Sequence, residues 1–137
     1  MQFITWTKSL SVGIKEIDDQ HKTFIGCLNE AAAISDSPQS NRNKLEILIA
    51  RILDYVRYHF DTEEKYFKKY NYPYAEEHIL EHAKLLENAA KFYDRFKLGD
   101  DVTAEFLLFL KDWLENHLKT HDMKYARYFK KIGVKEY

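Results

Sequence analysis

Cysteine is almost missing from this sequence. Cys27 is the only one among 137 residues, so no internal disulfide can brace the fold. A chain of this length does not need one, because a single core can bury most of its apolar surface. Proline and glycine are scarce too, at two and four residues. An all-β fold uses both in its many turns, so their scarcity favours helices. No apolar run approaches the ~18 residues of a membrane-crossing helix. The opening Met1-Gln2-Phe3-Ile4-Thr5-Trp6 has no basic stretch leading into an apolar one, and so reads as no secretory signal. The net charge of −1 gives no electrostatic reason to expect nucleic acid or anionic lipid as a partner. Together these absences lead to the expectation of a soluble, cytoplasmic protein.

Against those absences stand 45% hydrophobic and 31% charged residues, with ten Tyr and nine Phe to build a bulky core. Turn signals divide one domain, residues 1–137, into an arm over about 1–15 and four helices over about 16–34, 38–69, 73–97 and 102–130. The first carries Ile17, His21, Phe24, Ile25 and Leu28 on one stripe. The second carries Leu45, Leu48, Ile49, Ile52, Tyr55, Val56, His59 and Phe60. Ser37 is expected as the cap of the second helix, with Pro38 in its first turn. Tyr70-Asn71-Tyr72-Pro73 breaks it, and the third helix is expected to start at Pro73. Leu98-Gly99-Asp100-Asp101 ends the third helix and is expected to cap the fourth. Short links between long amphipathic helices describe an all-α, up-down-up-down antiparallel four-helix bundle with an N-terminal arm.

All six histidines fall on these helices: His21, His59, His78, His82, His117 and His121. Bundle interiors are places where side chains from several helices converge on a metal. His78 and His82 are four apart and share a face, as do His59 and Glu63. Glu64 lies about 100° further round and is expected to point elsewhere. One inward histidine is usually a hydrogen-bonded core residue. Five or six would leave many buried nitrogens in need of partners, and a shared metal centre satisfies them together. Cys27 lies about 120° from the His21 face and is expected to be a small buried residue.

The order His21, His59-Phe60-Asp61-Thr62-Glu63-Glu64, Tyr72-Pro73, His78-x-x-x-His82 and His117-Leu118-Lys119-Thr120-His121-Asp122 resembles the hemerythrins, specifically the bacteriohemerythrin branch. Trp6, Val12-Gly13-Ile14, Ile17-Asp18-Asp19-Gln20, Trp113-Leu114 and Tyr125 agree. The resemblance implies two iron ions joined by an oxo or hydroxo bridge. It assigns His78, His82 and His117 to one iron and His21 and His59 to the other, with Glu63 and Asp122 bridging. Two six-coordinate irons need about twelve ligand positions. These residues and one bridging oxygen fill all but about one, on the iron with two histidines. There the resemblance implies dioxygen binding, with Phe24, Phe60, Trp113, Leu114 and Leu118 as the pocket wall and Tyr125 nearby.

His117 and Asp122 are five apart, about 140° on a regular helix. Bare geometry pairs His117 with His121; the resemblance pairs it with Asp122. A π-type widening would reconcile the two, and such a distortion is expected there, leaving His121 off the metal. A ferritin-like oxidase would need Glu-x-x-His motifs, but Ala75 precedes His78 and Leu114 precedes His117 at that spacing. A site rich in histidine and poor in carboxylate favours reversible oxygen binding (carrier, store or buffer) over catalysis, with oxidase or peroxidase turnover at most a side activity. An oxygen, redox or nitric oxide sensor or scavenger, or a di-iron oxidase, on the same scaffold is the alternative. A two-metal hydrolase ranks lower.

Overall fold

The computed structural model describes residues 3–35 and 42–137. Four helical rods carry the fold: α1 (Lys15–Ser35), α2 (Arg42–Lys69), α3 (Ala75–Lys97) and a composite fourth rod. The last is α4 (Thr103–His117), a π-helical turn (Leu118–Asp122) and α5 (Met123–Lys131). α1 packs on α2, α2 on α3 and α3 on α4, and α4 closes back on α1. That ring of neighbours is the all-α, up-down-up-down bundle expected. Each rod buries the stripe its sequence spells. Phe24, Leu28, Ile49 and Phe106 are all but sealed from solvent, each contributing about 2 kcal/mol of burial free energy.

The rods start and stop where the turn residues direct, with two differences from expectation. α3 begins at Ala75, not Pro73. Asn71 takes a left-handed φ of 52°. The Tyr72 amide then donates back to the Phe67 carbonyl at 2.9 Å, closing α2. Pro73 and Tyr74 are used in the turn before helix can resume. The fourth rod begins one residue late for a similar reason. Gly99, at φ 101°, lets the Asp100 amide reach back to the Arg95 carbonyl at 3.1 Å. Val102 then occupies the cap position, and no side chain caps it. The expected start of α2 at Ser37 and Pro38 lies outside the described residues.

The arm is tied down at both ends. Ile4 and Asn29 exchange two hydrogen bonds of 2.9 Å, while Phe3, Trp6 and Leu10 pack on the core. Its far end meets Asp18, which is fully buried. The Val12 amide (2.9 Å), the Ser11 hydroxyl (2.5 Å) and the Tyr137 hydroxyl (2.5 Å) all donate to this carboxylate. The Lys15 amide donates to the Glu136 carbonyl at 3.1 Å. Arm and C-terminal segment therefore meet on α1, one turn before His21.

The core has two apolar parts. The larger includes Phe24, Ile52, Phe60, Leu85, Phe106 and Leu114. The smaller includes Ile17, Phe67, Tyr72, Tyr125 and Phe129. Buried polar residues mark the boundary between the two, as His21 does between Ile17 and Phe24 and Glu63 between Phe60 and Phe67, with His59 and His117 on the edge of the larger part.

Replacing Asp18 with Ala removes three hydrogen bonds, leaves the buried Val12 amide without its partner, and is expected to cost about 3 kcal/mol in urea unfolding. Tyr137→Phe, losing one bond at an exposed side chain, should cost about 1 kcal/mol or less. Equal effects would mean that this carboxylate does not hold the arm.

Candidate metal centre

One turn of α2 separates His59 from Glu63, one turn of α3 separates His78 from His82, and His21 faces them from α1. His117 ends α4 and Asp122 ends the π turn. All seven side chains are buried, none more than 3% exposed. Glu63 Oε1 lies 3.1 Å from His82 Nε2, 3.4 Å from His59 Nε2 and 3.8 Å from His78 Nε2. Asp122 Oδ1 lies 3.0 Å from His117 Nε2 and 3.2 Å from His78 Nε2, while its Oδ2 lies 3.2 Å from His21 Nε2. The ligand-competent atoms form two sets: Glu63, His78, His82 and His117 in one, His21, His59 and Glu63 in the other, each within 4.8 Å. Glu63 thus belongs to both sets, while Asp122, outside both, still reaches His117 and His78 of the first and His21 of the second.

The π turn makes this arrangement. It swings Asp122, five residues after His117, onto the His117 face. The widening foreseen from the sequence conflict is present at Leu118–Asp122. His121 is half-buried with its ring stacked on His117 at 5.3 Å, and it belongs to neither set.

A cation fits these residues. The Nε2 atoms of His21, His78, His82 and His117, Glu63 Oε1 and both Asp122 carboxylate oxygens are buried without a hydrogen-bond partner. Folded proteins seldom leave such atoms orphaned, since each costs about 1–3 kcal/mol. Here they all face one another, which is what metal ligands do. The Nδ1 atoms of His21 and His117 also lack partners.

Several supporting groups escaped the sequence reading. Gln20 Oε1 lies 2.7 Å from His59 Nδ1, and Gln20 Nε2 donates to Thr62 Oγ1 at 3.1 Å. Glu64 does not point away. Its carboxylate lies 3.0 Å from His82 Nδ1, because α3 packs close enough for a side chain off the Glu63 face to reach it. Their only sequence signal was adjacency, Gln20 to His21 and Glu64 to Glu63. Tyr125, expected near the cluster, is fully buried and donates its hydroxyl hydrogen to Glu63 Oε2.

The expected pocket residues divide. Phe60 stacks on His82 with ring centroids 3.6 Å apart, and Trp113 stacks on His117 at 4.2 Å. Their closest ring contacts are therefore with the three-histidine set, whereas the sequence expectation put them beside the other. Phe24, Leu114 and Leu118 are buried in the larger apolar part. Cys27 is half-buried against that part rather than fully enclosed, and burial raises its thiol pKa.

Burial lowers the His59 pKa to about 3, outweighing the pull of Glu63. For His82 burial also acts downward, but Glu63 and Glu64 prevail and raise it to about 9. Burial would raise Glu63, yet His59 and His82 bring it down to about 2. Burial raises Tyr125 well above its ordinary value, reinforced by Asp122 and Glu63, so it remains a neutral donor. In the metal-free chain, the stabilisation from the raised His82 is complete below pH 6.5 and lost as pH rises through about 9. The lowered His59 acts the other way, weakening the fold as pH falls below 6.5 toward about 3. The urea midpoint of metal-free protein is therefore expected to peak near pH 6.5, and a midpoint still climbing at pH 9 would contradict this charge assignment.

Comparison with known proteins agrees with this geometry. The hemerythrin HHE cation binding domain is matched over residues 12–129, which include all seven buried side chains. Bacteriohemerythrin of Stenotrophomonas maltophilia (strain R551-3) is 32% identical over 126 residues, 92% of this chain and 81% of that protein. Bacteriohemerythrin of Methylococcus capsulatus is 31% identical over 128 residues, 92% of this chain and 96% of that protein. A solved wild-type hemerythrin superposes with a TM-score of 0.85 at 30% identity, covering 91% of this chain and 96% of that one. With the domain matched across the whole bundle and the buried histidine–carboxylate layer in place, the chain belongs to the hemerythrin family.

Proposed function

We propose that the chain holds two iron ions and binds dioxygen reversibly, as a carrier, store or buffer rather than an enzyme. The observation that supports this most is the sharing of two buried carboxylates between a three-histidine and a two-histidine set. His78, His82 and His117 serve one ion and His21 and His59 the other. Glu63 and Asp122 would be shared by both ions, which an oxo or hydroxo group would join. Imidazole nitrogen with carboxylate oxygen is a donor set that suits iron. When bound, the iron pair supplies the electrons that dioxygen takes up and returns.

The chain's own residues do the rest. Tyr125 holds one oxygen of Glu63 by its hydroxyl and fixes how that carboxylate sits. Phe60 and Trp113 clamp the His82 and His117 rings by stacking. Phe24, Leu114 and Leu118 provide the apolar wall that limits water and protons, which would otherwise promote irreversible oxidation. The layer has two carboxylates against five imidazoles, and such a site stabilises highly oxidised iron poorly, which favours release over turnover. Dioxygen is the small-molecule partner; in a carrier role, the receiver would be an oxygen-using enzyme.

An absorption spectrum with metal analysis tests the reading. Reduced protein should be colourless, turn pink-violet in air, fade again under argon, and contain two irons per chain. Prompt, lasting yellowing would point instead to a sensor, scavenger or redox enzyme, and absence of iron would remove the reading. Leu114→Ala should speed autoxidation about tenfold, equivalent to a barrier lower by ~1.4 kcal/mol. An unchanged rate would make Leu114 ordinary core.

A further inference from the structure

A histidine can offer Nε2 to a metal only while its ring proton sits on Nδ1, so something must choose the tautomer. For His59 the choice can be traced bond by bond. The Thr62 hydroxyl lies 3.1 Å from the Tyr58 carbonyl one turn back on α2. A carbonyl only accepts, so the hydroxyl hydrogen is committed there. Only lone pairs remain on Thr62 Oγ1 to face the Gln20 side chain at 3.1 Å, and only the amide NH₂ can answer them. That orientation turns Gln20 Oε1, an acceptor, toward His59 Nδ1 at 2.7 Å. His59 must then donate from Nδ1, which leaves the Nε2 lone pair free. Gln20 is 5% exposed and Thr62 7%, so water has little room to substitute for either.

We propose that Thr62 and Gln20 are positioning residues that lock His59 in the tautomer with Nε2 open to the cluster, acting on the two-histidine set alone. The inference rests on the reading of His59 as a ligand. The other set is served differently. His82 Nδ1 faces the carboxylate of Glu64, a half-exposed, charged partner in contact with solvent. A neutral, buried amide behind His59 orients the ring without adding negative charge to the metal position it serves. The two positions are thereby made unequal by residues that touch neither ion.

The test uses the full chain as purified, with Thr62→Val, which keeps the volume and deletes the hydroxyl, Thr62→Ser, which restores it, and Gln20→Leu. Metal loss to a chelator is timed. Thr62→Val and Gln20→Leu should release one of two ions about tenfold faster, the usual scale for loss of a supporting hydrogen bond, with the other ion unaffected. Thr62→Ser should keep the original rate. A Thr62→Val protein that behaves like the parent, or Val and Ser variants that behave alike, overturns the inference. Nitrogen-15 ring spectra of the metal-free chain give an independent reading. A His59 proton on Nδ1 in the parent, redistributed in Thr62→Val, is expected; a proton on Nε2 in the parent overturns it. Failure to retain any metal would sink the proposed function while the ring spectra still decide the tautomer.

Discussion

Putting ionisable groups inside a helical bundle is costly unless something pairs with them, and this constraint organises the rest of the structure. Glu63 and Asp122 have no access to water, so each is surrounded by imidazole nitrogens from several rods. Two of the imidazoles also have their outer nitrogens tied down. Gln20 and Glu64 do this for His59 and His82. The π turn is part of the same solution. A straight fourth helix would aim Asp122 away from His117 and leave the layer one carboxylate short. The irregular backbone is thus the means by which a second shared carboxylate enters the centre.

The rods were legible because hydrophobic periodicity is a strong signal and core stripes such as Leu45, Leu48, Ile49 and Ile52 repeat it without interruption. The cluster was legible because its histidines and carboxylates recur at helical spacing and because the one spacing that broke the rule, His117 to Asp122, broke it within the cluster. What the sequence hid was lateral. Whether Glu64 meets His82 depends on how closely α2 and α3 pack, which no single-helix period encodes. Gln20 and Thr62 are separated by forty-two positions and joined by one hydrogen bond, so neither stands out alone. The start of α3 was misplaced because Pro73 is equally at home in a turn and in a first helical turn, and the left-handed Asn71 decides between them.

Aromatic placement has a similar lesson. Phe60 and Trp113 look like generic core residues in a list of apolar positions. In the fold they lie face to face with His82 and His117, so that packing and imidazole orientation become one property. The three-histidine set is braced by rings and a carboxylate, the two-histidine set by a buried amide relay. Rigidity is therefore distributed unevenly across a centre whose two halves share their anions.

The division of the core by a polar layer carries a mechanical consequence. Across that layer the rods are continuous, but the buried apolar residues form two separate clusters, so the layer would act as a seam in unfolding. Cations bound there act as stitches, since binding energy at a site formed only in the fold is folding energy. A loaded bundle would unfold as one body. A stripped one would be free to open at the smaller end, where the arm and Tyr137 close over Asp18, while the larger end stays packed. Metal content would then set how many pieces the protein unfolds in, as well as how much it resists unfolding.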